Sequence, residues 1–484
     1  MNIMDQNSTP LFDALKKYVD DGVIPFHVPG HKRGRGIKEL TQFLGQNTMA
    51  IDVNGMEDLD NICNPIGVIK QSAQLLAQLY GADHAFFLVN GTSQGIHTMI
   101  LNTCKPGDEI ILPRNAHKST IGAMILSGAK PVYVQPEINY ELGIAMGMSV
   151  ESVERAMERH PNAVGVFIIN PTYYGVVSDL KRITKMAHER NMTVLVDEAH
   201  GSHLKFSKQL PPSAMDCGAD MSALSLHKTG GSLTQSSALI IRGDEAYANR
   251  VKSSINLTQT TSASYILMAS LDVARKQLAL RGEELVERSL ELARYARRRI
   301  NEIPGLYAFG KEITGTPGSF DFDETKLGIH VRGLGLTGYK MEAILRKKYN
   351  IQIELSDLYN IMAIISLGDT KEDVDALIRA LEDIAGQQGV HKVANSTMVP
   401  YKPKLVVSPR DAFYSMKRSV KLEEAEGEIS GEMIMAYPPG IPAICPGERI
   451  TKEVIEYIQA LKREECQLQG PDDPYINYIK VLGQ

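Results

Sequence analysis

An acid and a lysine each follow a short apolar run in this chain. Thr193-Val194-Leu195-Val196 is stopped by Asp197, and residues 221–226 lead into His227-Lys228. Short β-prone runs ended by charge and glycine predict buried strands, and ligands of open α/β sheets gather at the carboxyl ends of strands. We therefore expect Asp197 and Lys228 to face one crevice. Taken separately, each would be assigned to an ordinary surface loop.

This pair suits a cofactor that carries a basic ring nitrogen at one end and an aldehyde at the other. Asp197 would keep the ring nitrogen protonated, and the amine of Lys228 would form a Schiff base with the aldehyde.

A small, hydroxyl-bearing turn lies between a predicted strand at 85–89 and a predicted helix at 96–103. It reads Asn90-Gly91-Thr92-Ser93-Gln94-Gly95. Free N–H groups at a helix start and the positive end of the helix dipole attract anions, and Thr92 and Ser93 add hydroxyl donors. We interpret the turn as a phosphate cup. The same residues would also serve as a simple N-cap.

Alternating strands and helices predict the α/β class. Four further strands are predicted at 109–112, 131–134, 164–169 and 237–241, besides the three at 85–89, 193–196 and 221–226 already named. Helices between them start near Lys118, Ser149 and Asp179, after a first helix at 69–80. This pattern predicts a mostly parallel seven-stranded sheet covered on both faces. A lone histidine such as His117 is more often structural, but its position after the strand at 109–112 raises the odds of a ligand role.

The rest of the chain predicts further domains. We expect an N-terminal arm without regular structure at 1–60, a large domain at 61–305, a small α+β domain at 306–390 and a C-terminal domain at 391–484. The small domain has predicted strands at 326–331 and 351–355 and helices at 339–348 and 370–385. A long helix is predicted at 282–303 and a last one at 451–462. Residues 437–442 are too rich in proline for a central strand.

Composition excludes several functions. The chain has 484 residues, a net charge of -5, 43% hydrophobic and 23% charged residues, which offers no basic face for nucleic acid. No apolar run reaches the roughly eighteen residues that a membrane helix needs. The N-terminus lacks the pattern of a signal peptide, and the five cysteines are widely spaced. We therefore expect a cytoplasmic protein with reduced cysteines.

Two motifs have simpler explanations than their patterns suggest. His27 and His31 have the spacing of a metal pair, but Pro29 and Gly30 prevent the helix that would align them, so a packed loop is favoured over a zinc site and no metal is predicted. Residues 333–338 match G-x-G-x-x-G, with Glu354 further on. Because no βαβ unit continues from there, a glycine-rich turn before a helix is favoured over a dinucleotide site.

Four motifs together resemble the bacterial ornithine/lysine/arginine decarboxylases. They are Phe26-His27-Val28-Pro29-Gly30-His31-Lys32, Asp197-Glu198-Ala199-His200-Gly201, Ser225-Leu226-His227-Lys228 and Tyr437-Pro438-Pro439-Gly440-Ile441-Pro442. The resemblance runs from about residue 8 to the C-terminus. It implies pyridoxal 5'-phosphate as cofactor and the fold of aspartate aminotransferase, fold type I. The chain looks most similar to the short biosynthetic arginine decarboxylases of Gram-positive type.

The resemblance implies a role for each site residue. Lys228 would form the Schiff base, Asp197 would hold the pyridinium nitrogen, and His117 and Ala199 would pack on opposite faces of the ring. Lys228 or His200 would donate the final proton; the long enzymes of the family usually carry tryptophan at the position of His200. The phosphate would be held by Gly91, Thr92, Ser93, Ser225 and His227, with Thr261 and Ser262 reaching the site of a partner subunit.

The resemblance also bears on assembly and substrate. The chain lacks the receiver-like N-terminal domain of the long enzymes, so a homodimer or a tetramer of dimers is expected rather than their decamer. Arginine is the favoured substrate, giving agmatine for polyamine synthesis, with lysine or ornithine as alternatives. An aminotransferase of related fold and a catalytically silent regulator are remoter alternatives. The acids that could bind the distal cation are Glu354, Asp357, Glu432 and Glu448.

Overall fold

The computed structural model describes residues 4–391, 403–436, 441–464, 466 and 468–483. Residues 437–440 of the proline-rich tail therefore lie outside the described residues. The chain divides into two compact units, which are described separately below. Unit 1 comprises Met1–Asn102 and Leu195–Val286, and unit 2 comprises Thr103–Val194 and Glu287–Gln484. The predicted division into four domains stays a prediction.

The helices predicted at 69–80, 339–348, 370–385 and 451–462 are present, whereas the long helix predicted at 282–303 was misplaced at its start, because it already begins at Tyr265. In chain order the helices are α1 (Pro10–Asp20), α2 (Lys38–Leu44), α3 (Gln46–Ala50), α4 (Val68–Tyr80), α5 (Gly91–Thr103), α6 (Lys118–Ser127), α7 (Val150–Arg159), α8 (Leu180–His188), α9 (Leu226–Thr229), α10 (Glu245–Asn256), α11 (Tyr265–Asn301), α12 (Gly338–Tyr349), α13 (Lys371–Gln388), α14 (Pro409–Tyr414) and α15 (Lys452–Arg463). None of these helices is both long and apolar enough to cross a membrane.

The strands are β1 (His84–Leu88), β2 (Glu109–Pro113), β3 (Lys130–Val134), β4 (Ile138–Asn139), β5 (Ile144–Ala145), β6 (Gly165–Ile169), β7 (Val176–Val177), β8 (Thr193–Asp197), β9 (Met221–Leu224), β10 (Ser237–Ile241), β11 (Tyr307–Ala308), β12 (Asp321–Phe322), β13 (Lys326–His330), β14 (Leu355–Ser356), β15 (Asn360–Ile364), β16 (Lys417–Lys421), β17 (Ile434–Ala436), β18 (Ile441–Ile444), β19 (Leu468–Gln469) and β20 (Tyr478–Leu482).

One seven-stranded sheet contains all seven strands predicted for the large domain. Its order is β1-β10-β9-β8-β6-β2-β3. Strand β10 runs antiparallel to β1 and to β9, whereas the pairs β8–β9, β2–β6 and β2–β3 are parallel. The α/β class and the mostly parallel sheet are therefore confirmed. Buried runs such as Val194-Leu195-Val196 explain why the strands lack polar alternation, since both faces of the sheet are covered.

The expectation of an irregular N-terminal arm was wrong, because α1, α2 and α3 lie within it. Helix α1 begins with proline after Thr9, and its buried residues Leu11, Leu15 and Tyr18 have helical spacing. Asp272 of α11 accepts hydrogen bonds from the backbone N–H groups of Leu11 (3.1 Å) and Phe12 (3.3 Å). The long helix α11 therefore provides the hydrogen-bond acceptor for N–H groups in the first turn of α1, which have no partner within their own helix.

Arg275, one helical turn after Asp272, completes this attachment. Its guanidinium donates to Asp272 Oδ1 at 3.0 Å and to the carbonyl oxygens of Gln6 (2.6 Å) and Ser8 (2.5 Å). Arg275 and Asp272 are both fully buried. The buried Arg275–Asp272 pair thus attaches the arm to α11, and hydrogen bonds to backbone groups replace the hydration that both charges have lost.

The smaller α+β region of unit 2 contains an antiparallel sheet of order β11-β13-β15-β14. The strand predicted at 351–355 was misplaced, because Asn350 adopts a left-handed conformation (φ 57°) and β14 starts only at Leu355. Strand β15 was not predicted. The glycine-rich turn before α12 is confirmed: a side chain at Gly338 would lie 2.1 Å from the carbonyl oxygen of Asn360. Close packing of backbone therefore explains this glycine.

The chain after residue 402 has its own apolar core, which includes Leu422, Ile434, Ile444, Ile458 and Val481. Strands β18-β17-β19 form a small sheet in which β18 is an edge strand. Pro442 lies in β18, where a residue without an N–H group is tolerated.

We predict that Arg275→Ala loosens the N-terminal arm. Removing one partner of a buried ion pair leaves an uncompensated charge and costs about 3–5 kcal/mol. Amide hydrogen exchange of Leu11 to Tyr18 in α1 is the direct measurement, and it should speed up strongly. Arg281→Ala is the matched control, because Arg281 forms an exposed pair with Glu284 on the same helix. Equal exchange in the two variants would contradict the prediction.

Candidate active site

Asp197 is the last residue of β8 and is only 6% exposed. Its Oδ1 accepts a hydrogen bond from the N–H of Ala199 at 3.1 Å. Burial raises the pKa of Asp197, and the nearby charge of Lys228 opposes that shift. A carboxylate held here is therefore selective for a cationic partner, because burial strengthens its attraction to opposite charge.

Lys228 lies in the one-turn helix α9, which begins directly after β9 and Ser225. Because β8 and β9 are parallel neighbours, Asp197 and Lys228 leave the sheet at the same edge. Lys228 Nζ lies 2.9 Å from Nε2 of His200, which is 4% exposed. An ammonium can only donate, so Nε2 accepts when Lys228 is charged and the imidazole is neutral. The structure thus brings together Asp197, His200 and Lys228.

The predicted phosphate cup is built from three elements of unit 1. Helix α5 begins at Gly91 (φ 71°), earlier than predicted, so Thr92 and Ser93 lie in its first turn. The hydroxyl of Thr92 contacts the hydroxyl of Ser225 and donates to that of Ser237 at 3.2 Å. Hydroxyls from α5, from the end of β9 and from the start of β10 therefore converge at a helix N-terminus, which favours an anion.

Close packing holds α5 in this position. A side chain at Gly95 would lie 3.0 Å from Cβ of Ala223 in β9 and 3.1 Å from Cδ1 of Leu88 in β1. A larger residue there would require the neighbouring side chains to shift by a few tenths of an ångström, so glycine allows the close approach of α5 to the sheet.

His227 is oriented by a backbone contact. Its Nδ1 lies 2.8 Å from the carbonyl oxygen of Ser236, which can only accept, so Nδ1 carries the proton. Ala199 follows Asp197 by two residues and is partly exposed. Both residues therefore lie on the segments that carry Asp197 and Lys228.

His117 belongs to unit 2, where it caps the N-terminus of α6. Its Nδ1 accepts from the N–H of Ser119 at 3.3 Å. Thr261 and Ser262 lie between α10 and α11 in unit 1 and are exposed. The start of that segment is tied to the phosphate cup, because Asn90 Nδ2 donates to the carbonyl oxygen of Thr258 at 3.1 Å. The roles assigned to all site residues stay predictions.

Three of the four acids considered for a distal cation have structural partners within unit 2. Glu448 forms a two-pronged pair with Arg114, and Asp357 accepts from Tyr174 and Asn360. Glu432 accepts from the backbone N–H of Lys480 at 2.8 Å. Glu354 is exposed. Glu448, Asp357 and Glu432 are therefore engaged in contacts within the protein.

The paired histidines of the N-terminal arm have separate partners. His27 Nε2 lies 2.5 Å from the hydroxyl of Tyr18, and His31 Nε2 lies 3.0 Å from Asp52 Oδ2. Within the described ranges, no group of three or more acidic, cysteine or histidine residues could hold a metal ion.

Glu198 is a further buried acid of the Asp197-Glu198-Ala199-His200-Gly201 motif, and no role was expected for it from the sequence. Glu198 follows Asp197 and is buried, and it accepts hydrogen bonds from Ser222 Oγ (2.7 Å) and from the N–H of Ala214 (2.9 Å). Burial raises its pKa to about 8. The sequence signal for this residue was the presence of two successive acids at the end of an apolar strand. Because successive side chains of a strand point to opposite faces, the two acids were expected to have different surroundings.

Comparisons with known proteins identify the family to which the chain is similar. The family model Orn/Lys/Arg decarboxylase, major domain, matches residues 9–373, and the model of the C-terminal domain of that family matches residues 391–472. The chain is 48% identical to the arginine decarboxylase of Bacillus subtilis over 99% of both chains.

Solved structures show the same fold. The lysine decarboxylase of Francisella novicida superposes with a TM-score of 0.83 at 21% identity, covering 98% of this chain and 81% of its own. The ureidoglycine-glyoxylate aminotransferase of Bacillus subtilis superposes with a TM-score of 0.55 at 15% identity, covering 67% and 86%. These likenesses confirm the expected fold.

We predict that Glu198→Gln changes how stability depends on pH. With its pKa raised to about 8 from the usual 4.5, Glu198 binds a proton more tightly in the folded protein than in the unfolded chain. Its stabilising contribution is complete below about pH 4.5 and is lost as the pH rises through about 8, by roughly 1.4 kcal/mol per pKa unit. Stability relative to the variant should therefore fall over that window.

Urea unfolding of both proteins at a series of pH values measures this difference. Glu283→Gln, which removes an exposed carboxyl from α11, controls for the loss of one negative charge. Parallel stability curves for the original protein and Glu198→Gln would show that Glu198 does not titrate in this window.

Proposed function

This chain belongs to the Orn/Lys/Arg decarboxylase family, and from that membership we propose that it converts L-arginine to agmatine and CO2 with pyridoxal 5'-phosphate. The reaction is supported by one observation above all: a buried carboxylate and a lysine leave neighbouring parallel strands at the same edge of the sheet. The choice of arginine is supported by the name of the full-length Bacillus subtilis relative. Agmatine production would supply polyamine biosynthesis.

The donor set fits this cofactor at each of its polar positions. Lys228 supplies an amine for the aldehyde, and Asp197 supplies a buried anion for the ring nitrogen. Thr92, Ser225 and Ser237 supply convergent hydroxyls for the phosphate, and Gly91 and Gly95 leave the backbone free of side chains there. Ser93 and His227 would complete the phosphate site.

When bound, the cofactor supplies an electron sink for the pair of electrons left behind by the departing CO2. The chain's own groups must hold the substrate so that its carboxylate stands perpendicular to the ring. Asp197 would keep a proton on the ring nitrogen, since its buried charge gains most from a cation. His117 and Ala199 would hold the ring from its two faces.

His200 would handle a proton together with Lys228. Because His200 Nε2 and Lys228 Nζ are 2.9 Å apart, a proton can pass between them without other movement. Either group could then protonate the substrate carbon that has lost CO2. Burial of His200 keeps bulk water away from this transfer.

The active unit in this proposal is a homodimer with shared sites, or a higher homo-oligomer. Thr261 and Ser262 are exposed on a segment whose start is attached to the phosphate cup. They would reach the phosphate in a partner subunit. We also propose that the chain is organised as an N-terminal arm (1–60), a large domain (61–305), a small domain (306–390) and a C-terminal domain (391–484).

Lysine is the second candidate substrate. It is favoured by the structural likeness to the lysine decarboxylase of Francisella novicida, which covers 98% of this chain. Arginine remains preferred because the relative named for it is 48% identical, against 21% for that structure.

We predict that the purified, cofactor-loaded protein releases CO2 fastest from arginine. Release should be measured in parallel with arginine, lysine and ornithine at equal concentration. Faster release from lysine would replace the substrate and leave the cofactor site unchanged. A bound cofactor with no release from any of the three would contradict the proposed reaction, and absence of cofactor binding would favour a silent protein of this fold.

We predict that Asp197→Asn retains the cofactor but lowers kcat by about 10²- to 10³-fold, because a preorganised charge in a site without water is replaced by a neutral amide. Turnover and the visible spectrum should be measured together. Asp216→Asn, which removes an acid paired with Lys205 at the surface of unit 1, is the matched control. Near-normal kcat in Asp197→Asn would refute the role of Asp197.

Covalent attachment gives an independent test. Borohydride reduction followed by peptide mass mapping should find the cofactor on the peptide that contains Lys228, and Lys228→Ala should abolish the label. A label on another lysine would overturn the assignment of Lys228.

A further inference from the structure

Helix α6, which His117 caps, is held at both ends by residues from the part of the chain that follows residue 402. At its start, Arg114 lies in the four-residue connection between β2 and α6 and pairs with Glu448. At its end, Arg410 of α14 donates to the carbonyl oxygens of Leu126 (2.9 Å) and Ile125 (3.4 Å). We call the Arg114–Glu448 pair and the Arg410 contact the C-terminal clamp.

The Arg114–Glu448 pair is buried and bidentate. Arg114 Nε and Nη2 each donate to one carboxylate oxygen of Glu448 at 2.7 Å. Arg114 is 7% exposed and Glu448 is fully buried. Both groups have further partners: Arg114 Nη1 donates to the carbonyl oxygen of Pro442 (3.0 Å), and Glu448 accepts from the N–H of Cys445 (2.7 Å). Such a planar, two-pronged pair fixes orientation as well as distance.

Arg410 fixes the other end of α6. The helix ends at Ser127 and is followed by Gly128, whose left-handed conformation (φ 75°) leaves the last carbonyl groups accessible to a cation. A side chain at Gly128 would lie 3.3 Å from Cδ of Arg410, so the two residues are in close contact. With a cation on its last carbonyls and the Arg114 pair before its first turn, α6 is constrained against sliding along its axis.

His117 lies between these two constraints. Arg114 N donates to the carbonyl oxygen of Val134 at 2.9 Å, and Ala116 is buried. His117 then accepts from Ser119 in the first turn of α6. Its backbone position is therefore determined by the sheet on one side and by α6 on the other.

We propose that the C-terminal clamp positions His117, so that Arg114, Glu448 and Arg410 act as positioning residues for the cofactor site. This inference rests on the proposed function, in which His117 packs against the ring. It assigns to the C-terminal domain the positioning of a residue that contacts the cofactor. It also assigns to Glu448 a role other than binding the substrate's distal cation.

A double-mutant cycle on the full-length protein tests the proposal. Apoenzyme of the original protein, His117→Ala, Glu448→Gln and the double variant is titrated with pyridoxal 5'-phosphate, and the dissociation constant and the visible circular dichroism of the bound cofactor are recorded. His117→Ala should weaken binding about tenfold, as expected for loss of one ring contact. Glu448→Gln alone should weaken it about threefold to tenfold and alter the dichroism.

The decisive value is the effect of Glu448→Gln in the His117→Ala background. If the clamp acts through His117, that effect falls below about twofold, because the two residues then act on the same contact. An undiminished effect would overturn the proposal, since it would show that Glu448 acts by general stability. Glu428→Gln is the matched control: Glu428 pairs with Arg418 in the same part of the chain and should leave the dissociation constant unchanged.

Two further outcomes are informative. If Glu448→Gln does not fold, Arg410→Ala replaces it in the same cycle, with Arg418→Ala as its control, and the same criterion applies. If His117→Ala leaves cofactor affinity and dichroism unchanged, the positioning proposal is overturned, whereas the decarboxylase proposal is judged separately by CO2 release from the original protein.

Discussion

A carboxylate buried at the end of a strand is the constraint on which the candidate site depends. Asp197 has lost most of its contact with water, which disfavours its charged form unless partners replace the lost hydration. The N–H of Ala199 and the charge of Lys228 provide that compensation. The compensation requires β8 and β9 to be parallel neighbours, because only then do Asp197 and Lys228 leave the sheet at the same edge.

The same edge also explains the phosphate cup. Strand β10 runs antiparallel between β1 and β9, so its first residue, Ser237, lies beside the last residues of both neighbours. This reversal brings the Ser237 hydroxyl to Thr92 in α5 and next to Ser225 after β9. One reversed strand in a mostly parallel sheet thus supplies a hydroxyl from its first residue at the edge where its two neighbours end.

Buried charge pairs attach the terminal parts of the chain to their units. Asp272 and Arg275 fasten the N-terminal arm to α11, and Arg114 and Glu448 fasten the C-terminal segment to the connection after β2. In both cases each charge also binds backbone groups, which offsets the loss of hydration. Such pairs define orientation more sharply than an apolar contact does, because their hydrogen bonds have direction.

The sequence by itself determined the elements whose signals are local. Short apolar runs in an alternating pattern of strands and helices predicted all seven strands of the main sheet, and the position of Lys228 shortly after β9 followed from them. Only the tertiary structure decided the partners: the reversed direction of β10, the contact of His200 with Lys228, and the pairing of Arg114 with Glu448, 334 residues away. Periodicity reports whether a segment can form an element and bury one face. Which segments meet depends on chain closure and on the compensation of buried charge, and neither is encoded in the spacing of neighbouring residues.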